Sequence, residues 1–250
     1  MTTSASAGAA AAPGLLPDNP TLAQRIAGVV FQPRRTIDGV VADPRWRGVL
    51  LTSTLVAVLV SATVMSTAVG RQALVDEWER TAAAVGHEVD DAGYQQLETL
   101  SQYGALYAAT GAVVSGPVAA VIMAALLHAR FGRTGRARRP FTAALAITAH
   151  AGVILSLRQV IAAGLTYGRE TTATALSIGS AFPGLDASSP LARALGFIDV
   201  FVLWWVLLLA IGAARLYQRR TRSMALAFMG VYLALAVLTA AAFAVAGASA

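Results

Sequence analysis

Long apolar stretches recur along the chain, and five of them are long enough to cross a bilayer. The clearest covers residues 197–217, with Asp199 near its start and Arg215 near its end. A helix of about 20 residues is about 30 Å long, which is the thickness of the hydrocarbon core of a membrane. A soluble core helix does not need apolar residues on every face over that length. We therefore predict an all-α, polytopic membrane protein with five transmembrane helices, at about 48–69, 103–131, 141–165, 197–217 and 224–246.

The N-terminal 47 residues follow a different pattern. Residues 1–19 are rich in Ala, Ser, Gly and Pro and lack the basic and apolar blocks of a signal peptide, so we predict a disordered tail. Residues 20–47 carry apolar side chains at helical spacing and predict a cytoplasmic, amphipathic interfacial segment before the transmembrane domain at 48–246. Asn19-Pro20 and Asp43-Pro44 each look like a helix cap followed by proline, and Pro33 is expected to end the first helix.

One long polar segment, residues 70–101, separates the first two predicted spans. Its periodicity predicts a weakly amphipathic helix up to Val85, which Gly86 breaks. Asp90 or Asp91 can cap a second helix that leads into the next span. His87, Glu88, Asp90 and Asp91 could bind a divalent cation, but they match no established metal motif. We favour a solvated loop with a helix cap and predict no metal site.

Composition supports the membrane assignment. The chain is 56% hydrophobic and 13% charged, whereas soluble domains carry about 25% charged residues. Cysteine is absent, which excludes disulfides, thiolate nucleophiles and cysteine-bound metals. The net charge of +6 could suggest a nucleic-acid partner. We instead attribute the positive charge to membrane topology and predict no nucleic-acid partner, because the arginines lie beside the apolar segments.

The arginines also predict the orientation in the membrane. With five spans, fourteen of them fall on one side and four on the other. The positive-inside rule then places the N-terminus in the cytoplasm and the C-terminus on the external, periplasmic side. All 19 basic residues are arginine, and Ala, Gly and Val are abundant. This composition is typical of a GC-rich bacterial genome, so we predict a bacterial cytoplasmic (inner) membrane.

Two charges lie well inside predicted spans, where they are costly. Arg158 is in the outer third of the third span, and Asp199 is near the outer end of the fourth. Their similar depth predicts an intramembrane ion pair. The alternative is that Arg158 reaches the interface and Asp199 only caps its helix.

Two further groups are candidate binding residues. His150 lies near the membrane midplane and could serve a proton relay or a ligand, although a hydrogen-bonded residue inside the bundle is the favoured interpretation. A basic loop is predicted to meet anionic lipid headgroups through Arg130, Arg133, Arg136, Arg138 and Arg139. No P-loop, nucleophile elbow or dinucleotide fingerprint is present, so we predict no catalytic residue, no enzyme activity and no cofactor.

Three segments in order resemble the Yip1-domain family of membrane proteins. They are FQPRRTIDGVVADPRWRG before the first span, FTAALAITAHAGVILSLRQVIAAGLTYGRE at the third, and LGFIDVFVLWWVLLLAIG at the fourth. The resemblance covers about Ile26 to Leu238 and implies an all-helical, five-span fold with a cytoplasmic N-terminus. Eukaryotic relatives act in vesicle trafficking with small GTPases, but their Asp-Leu-Tyr-Gly-Pro signature is missing here.

Some bacterial relatives look like accessory partners of ATP-driven (MacB-like) exporters that work with periplasmic adaptors. The resemblance therefore implies a non-enzymatic scaffold or accessory subunit of a membrane export or transport system. The alternative is a transporter, channel or lipid flippase in its own right, for which Arg158, Asp199 and His150 would line a path. Five spans cannot form two equal inverted repeats, which weighs against it. Expected partners are the bilayer, anionic lipids and an exporter with its adaptor, and homo-oligomerisation is left open.

Overall fold

The computed structural model describes residues 20–84, 86–132, 140–169, 176–182, 184, 195–196 and 198–248. This part of the chain is helical, with a short 3-10 turn at Ile178–Ala181 and one isolated β-bridge. The α-helices are α1 (Leu22–Phe31), α2 (Pro33–Ala42), α3 (Arg47–Met65), α4 (Ala68–Ala84), α5 (Asp91–Ser101), α6 (Gly104–Phe131), α7 (Pro140–Arg169), α8 (Val200–Leu216) and α9 (Thr221–Ala248).

Four of these helices, α3, α6, α7 and α9, are long and apolar enough to cross a membrane. Helix α8 is also apolar, but it has only 17 residues, which is about 25 Å of helix. It is shorter than the predicted stretch at 197–217 because Asp199 occupies the N-cap position and the helix begins one residue later. The first predicted span is also shorter than expected. Helix α3 ends at Met65, and Thr67 donates a hydrogen bond back to the Val64 carbonyl before α4 begins.

Consecutive long helices run in opposite directions. Gly104 at the start of α6 faces Met65 at the end of α3, and the His128 ring near the end of α6 contacts Phe141 at the start of α7. Arg158 of α7 similarly contacts Asp199 just before α8. One end of the bundle therefore collects α1, α2, the starts of α3, α7 and α9, and the ends of α6 and α8.

We call this end the arginine end, because it holds ten of the arginines that the structure describes. They are Arg25, Arg34, Arg35, Arg45, Arg47, Arg130, Arg215, Arg219, Arg220 and Arg222. The opposite end carries the α4–α5 hairpin, in which most of the acidic residues lie.

The core lies between α7 and α8. Ile147 and Ile154 of α7 and Leu208 and Leu209 of α8 are almost completely buried in one cluster. About 61% of the apolar window of α7 is buried inside the protein, compared with 6% for α3 and 17% for α6 and α9. Helix α7 is thus the central element, and α3, α6 and α9 turn most of their apolar surface outward.

Helices α1 and α2 cover the arginine end of this core. They bury Val29, Ile37 and Val40 against the ends of the longer helices. An ion pair between Asp38 Oδ1 and Arg215 Nε, 3.1 Å apart, joins α2 to the last turn of α8. These contacts hold the N-terminal segment against the bundle.

The predicted caps of the N-terminal helices are wrong. Thr21, rather than Asn19, caps α1, and it forms a capping box with Gln24. Pro33 opens α2 as its first residue instead of only ending α1. Asp43 follows the end of α2, and α3 begins only at Arg47. The Asp43 carboxylate instead binds two arginines, at 3.3 Å from Arg25 Nη2 and 2.6 Å from Arg45 Nε.

The α4–α5 hairpin matches the pattern in residues 70–101. Gly86 has a φ of 76°, which is accessible to glycine at low cost and ends the helical path. Asp90 caps α5 by accepting a hydrogen bond from the Gly93 N–H at 2.8 Å. The Trp78 ring of α4 contacts the Tyr107 ring of α6 edge-on, with centroids 6.3 Å apart, so the hairpin rests on the bundle.

Candidate functional site

The structure brings Arg158 and Asp199 together. Arg158 Nε lies 2.6 Å from Asp199 Oδ2, and the contact joins α7 to the residue that precedes α8. The Asp199 side chain is 11% exposed and that of Arg158 is 42% exposed. The carboxylate is therefore nearly enclosed, while part of the guanidinium remains on the surface.

Asp199 also caps α8. Its second oxygen, Oδ1, accepts hydrogen bonds from the N–H groups of Phe201 and Val202, at 2.8 and 3.2 Å. The two interpretations of Asp199, ion pair and helix cap, therefore describe the same side chain, with one oxygen used for each. This arrangement compensates the charge of a carboxylate removed from water.

A third helix reaches the same residue. The Asp199 backbone N–H donates to the Tyr232 hydroxyl of α9 at 3.1 Å. The sequence pattern did not single out Tyr232, although a phenol inside a long apolar stretch was an available signal. A β-bridge between Ser177 and Asp199 adds the segment before α8, with Ile178 N–H donating to the Ile198 carbonyl at 2.7 Å. The site therefore ties α7, α8 and α9 together away from the arginine end.

His150 lies apart from this pair. It is eight residues before Arg158 on α7, a separation of about 12 Å along the helix. Its side chain is completely buried, and Nδ1 lies 2.7 Å from the Ala146 carbonyl, to which it can donate. Within the described residues Nε2 has no hydrogen-bond partner. The structure thus does not assemble Arg158, Asp199 and His150 into one site.

Of the basic loop, the structure describes only Arg130. Its guanidinium lies over the Phe131 ring, 5.0 Å from the centroid, at the arginine end of α6. The other four arginines of the predicted lipid-binding set, Arg133, Arg136, Arg138 and Arg139, lie outside the described residues.

The acidic residues of the α4–α5 hairpin do not converge. Across the described ranges, no group of three or more His, Asp or Glu side chains could hold a metal ion. Asp90 is instead used as the cap of α5.

A groove runs between α3, α6 and α7, and we call it the three-helix groove. Its volume is about 580 Å³, and Trp205 of α8 closes its inner side. On α3 the lining extends from Leu50 to Met65, which is about 22 Å of helix. None of the described residues that line the groove is charged, and most of them are Ala, Gly, Ser or Thr.

The polar groups of the groove fall into two classes. Ser61 and Thr148 donate to carbonyls four residues earlier in their own helices, as hydroxyls in apolar helices commonly do. Ser53, Thr54 and Ser115 also line the groove but form no hydrogen bond within the described residues. The sequence indicated these hydroxyls, but it could not show which of them face a common space.

One amide crosses the groove. Gln159 Nε2 of α7 lies 2.7 Å from Ser61 Oγ and 3.3 Å from the Ala57 carbonyl, both on α3. This contact links α3 to α7 in the half of the groove farther from the arginine end. Polar contacts between helices of this kind stabilise packing in lipid, typically by about 0.6 kcal/mol.

Comparison with known proteins agrees with the helical architecture. A family model described as the Yip1 domain matches residues 27–244, which include α3, α6, α7 and α8 and all but the last four residues of α9. No curated protein and no solved structure matches the chain significantly. Because the family model covers nearly the whole chain, this membrane protein belongs to the Yip1-domain family.

Proposed function

We propose that this protein is a non-enzymatic scaffold or accessory subunit of a membrane export or transport system. Two features support the proposal. The family resemblance implies partners of the ATP-driven (MacB-like) exporter type, and the buried polar contacts of the bundle join its own helices. Three contacts join helices of the bundle in this way, namely the Arg158–Asp199 pair, the contact of Tyr232 with Asp199 and the contact of Gln159 with Ser61.

The proposed contact surface is the outer face of α9. Ala227, Gly230 and Ala234 lie along one exposed stripe of this helix, and no atom would lie within 4 Å of a Cβ added at Gly230. Small residues allow a second backbone to approach closely, which is the main source of helix association in lipid. The proposed occupant of this face is a transmembrane helix of the exporter.

The proposed topology has five spans and a cytoplasmic N-terminus. Helix α8 is apolar, packs against both α7 and α9, and runs opposite to each of them. With about 25 Å of helix, it can cross the bilayer if its ends reach the interfaces through Arg215 and the segment before Asp199. The arginine end would then face the cytoplasm, and the α4–α5 hairpin would face a periplasmic adaptor.

The same topology places the arginine end against anionic headgroups of the bacterial inner membrane. Arg34 and Arg222 are exposed at this end, and each such base contributes about 1 kcal/mol of attraction near an anionic leaflet. Arg130 and the basic loop that follows it would contribute in the same way.

Affinity purification in a mild detergent tests the proposal. The wild-type protein is expected to recover an exporter ATPase or permease. Gly230→Leu should remove that partner, because the larger side chain keeps the two backbones apart. Gly111→Leu on α6 is the matched control, since Gly111 is also exposed with open space around its Cα.

Two outcomes would contradict the proposal. One is recovery of the bare protein from wild-type cells. The other is equal partner recovery with Gly230→Leu. Because the chain has no cysteine, Gly230→Cys additionally allows crosslinking at this face. A crosslink to a second copy instead of a transport protein would identify α9 as a homo-oligomer contact and overturn the assignment of its partner.

A further inference from the structure

We infer that the three-helix groove binds one diacyl phospholipid from the leaflet at the arginine end. The first support is size. A volume of about 580 Å³ falls within the 300–1,000 Å³ that is typical of small-molecule sites. The groove is also elongated, because its lining extends about 22 Å along α3, a shape that suits an extended acyl chain.

The second support is the chemistry of the lining. The described side chains that line the groove are uncharged, so the part of the ligand that lies among them is expected to be uncharged as well. The hydroxyls of Ser53, Thr54 and Ser115 have no partner within the described residues. Burying a hydroxyl in hydrocarbon without a hydrogen bond is costly. The ester carbonyls of a phospholipid are acceptors for such donors, whereas a bare hydrocarbon is not.

The third support is the direction that the polar groups define. Ser53 and Thr54 lie on α3 one turn beyond Leu50, which is the lining residue nearest the arginine end. Before them, Arg47 stands at the start of α3 with its guanidinium 5.6 Å from the centre of the Trp46 ring. This order matches a phospholipid that has its phosphate near Arg47, its esters near Ser53 and Thr54, and one acyl chain running toward Met65.

Glycines that line the groove provide a way to fill it without disturbing the helices. At Gly152 no atom lies within 4 Å of an added Cβ, and at Gly116 the nearest is Thr54 Oγ1 at 3.9 Å. Gly116→Leu and Gly152→Leu would therefore place a side chain in the space of the lipid. Gly111→Leu and Gly164→Leu are matched controls on the same two helices, because neither glycine lines the groove.

Native mass spectrometry of the protein released from mild detergent measures the retained phospholipid directly. We expect one tightly retained phospholipid on the wild type and on both controls. Both groove variants should lose it by at least about tenfold, because the leucine excludes several methylene groups from apolar contact. A melting temperature close to that of the control variants shows that a groove variant is folded.

Equal phospholipid retention by the groove variants and the controls would overturn the inference, as would a wild-type protein that retains none. A third outcome, in which the groove variants lose an exporter subunit but keep the phospholipid, would also overturn it and would assign the groove to a helix. The proposed scaffold role is tested separately at Gly230, so the two proposals can fail independently.

Discussion

Asp199 is the residue on which most of the polar structure inside the bundle depends. One carboxylate oxygen binds Arg158, the other caps α8, and the backbone N–H binds Tyr232. Losing this side chain therefore leaves Arg158 without its counter-ion and α8 without its cap. Losing Arg158 leaves the Asp199 carboxylate with its two N–H partners in α8 but without a counter-ion. The Arg158 guanidinium is partly exposed, which reduces the contribution of the pair.

A double-mutant cycle tests this difference. Asp199→Ala is expected to lower the free energy of unfolding by about 3 kcal/mol, and Arg158→Ala by about 1 kcal/mol. The double variant should be less destabilised than the sum, with a coupling energy of about 1 kcal/mol. Unfolding of the detergent-solubilised protein in increasing SDS measures all three values. Additive effects would mean that the two side chains do not interact.

The contact between Gln159 and Ser61 is expected to contribute less to stability than the Arg158–Asp199 pair. Gln159→Leu removes the contact with Ser61, but Ser61 still donates to the Ala57 carbonyl. The expected loss is therefore only about 0.6 kcal/mol, measured in the same SDS titration. A loss as large as that of Asp199→Ala would show that the contact has a larger structural role than its geometry indicates.

At the scale of elements, α8 places a glycine where it packs against α7. A Cβ at Gly212 of α8 would collide with the Ile147 side chain of α7, which is itself fully buried. The two helices can approach closely only because this position has no side chain.

Gly212→Ala is therefore expected to destabilise the protein by about 1–3 kcal/mol through overpacking. Ile147→Ala alone is expected to cost about 2–5 kcal/mol because it leaves a cavity in the core, but the double variant should lose less than the sum, since the colliding atoms are gone. Gly164→Ala on α7 is the control and should be neutral or stabilising, since that site is open and alanine favours helix. Thermal unfolding in detergent measures the series. Strictly additive losses would show that the two positions do not meet.

The elements differ in how well the sequence predicted them. The apolar stretches predicted the long helices because a run of about 20 apolar residues leaves few alternatives. Helix ends were less predictable where a polar side chain had a distant partner. Asp43 has the local pattern of a cap, but Arg25, eighteen positions earlier, and Arg45 hold its carboxylate. The groove was not predictable either, because it depends on which faces of α3, α6 and α7 meet.

The whole molecule is built around α7 and α8, with the other long helices on the outside. Most of the arginines that the structure describes collect at one end through the alternating directions of the helices. Four of the described helices are long enough to cross the membrane by length and composition. A fifth crossing requires α8, which is apolar but has only 17 residues.

The positions of the two ends of the chain decide the number of crossings. With five spans, residues before α3 and after α9 lie on opposite sides of the membrane, and with four they lie on the same side. Because cysteine is absent, Gln32→Cys and Ala248→Cys each provide a single labelling site. Their reaction in intact cells with a maleimide that does not cross the inner membrane measures the side directly. We predict that Ala248→Cys is labelled and that Gln32→Cys is labelled only after permeabilisation. Labelling of both sites under the same condition would contradict the five-span topology.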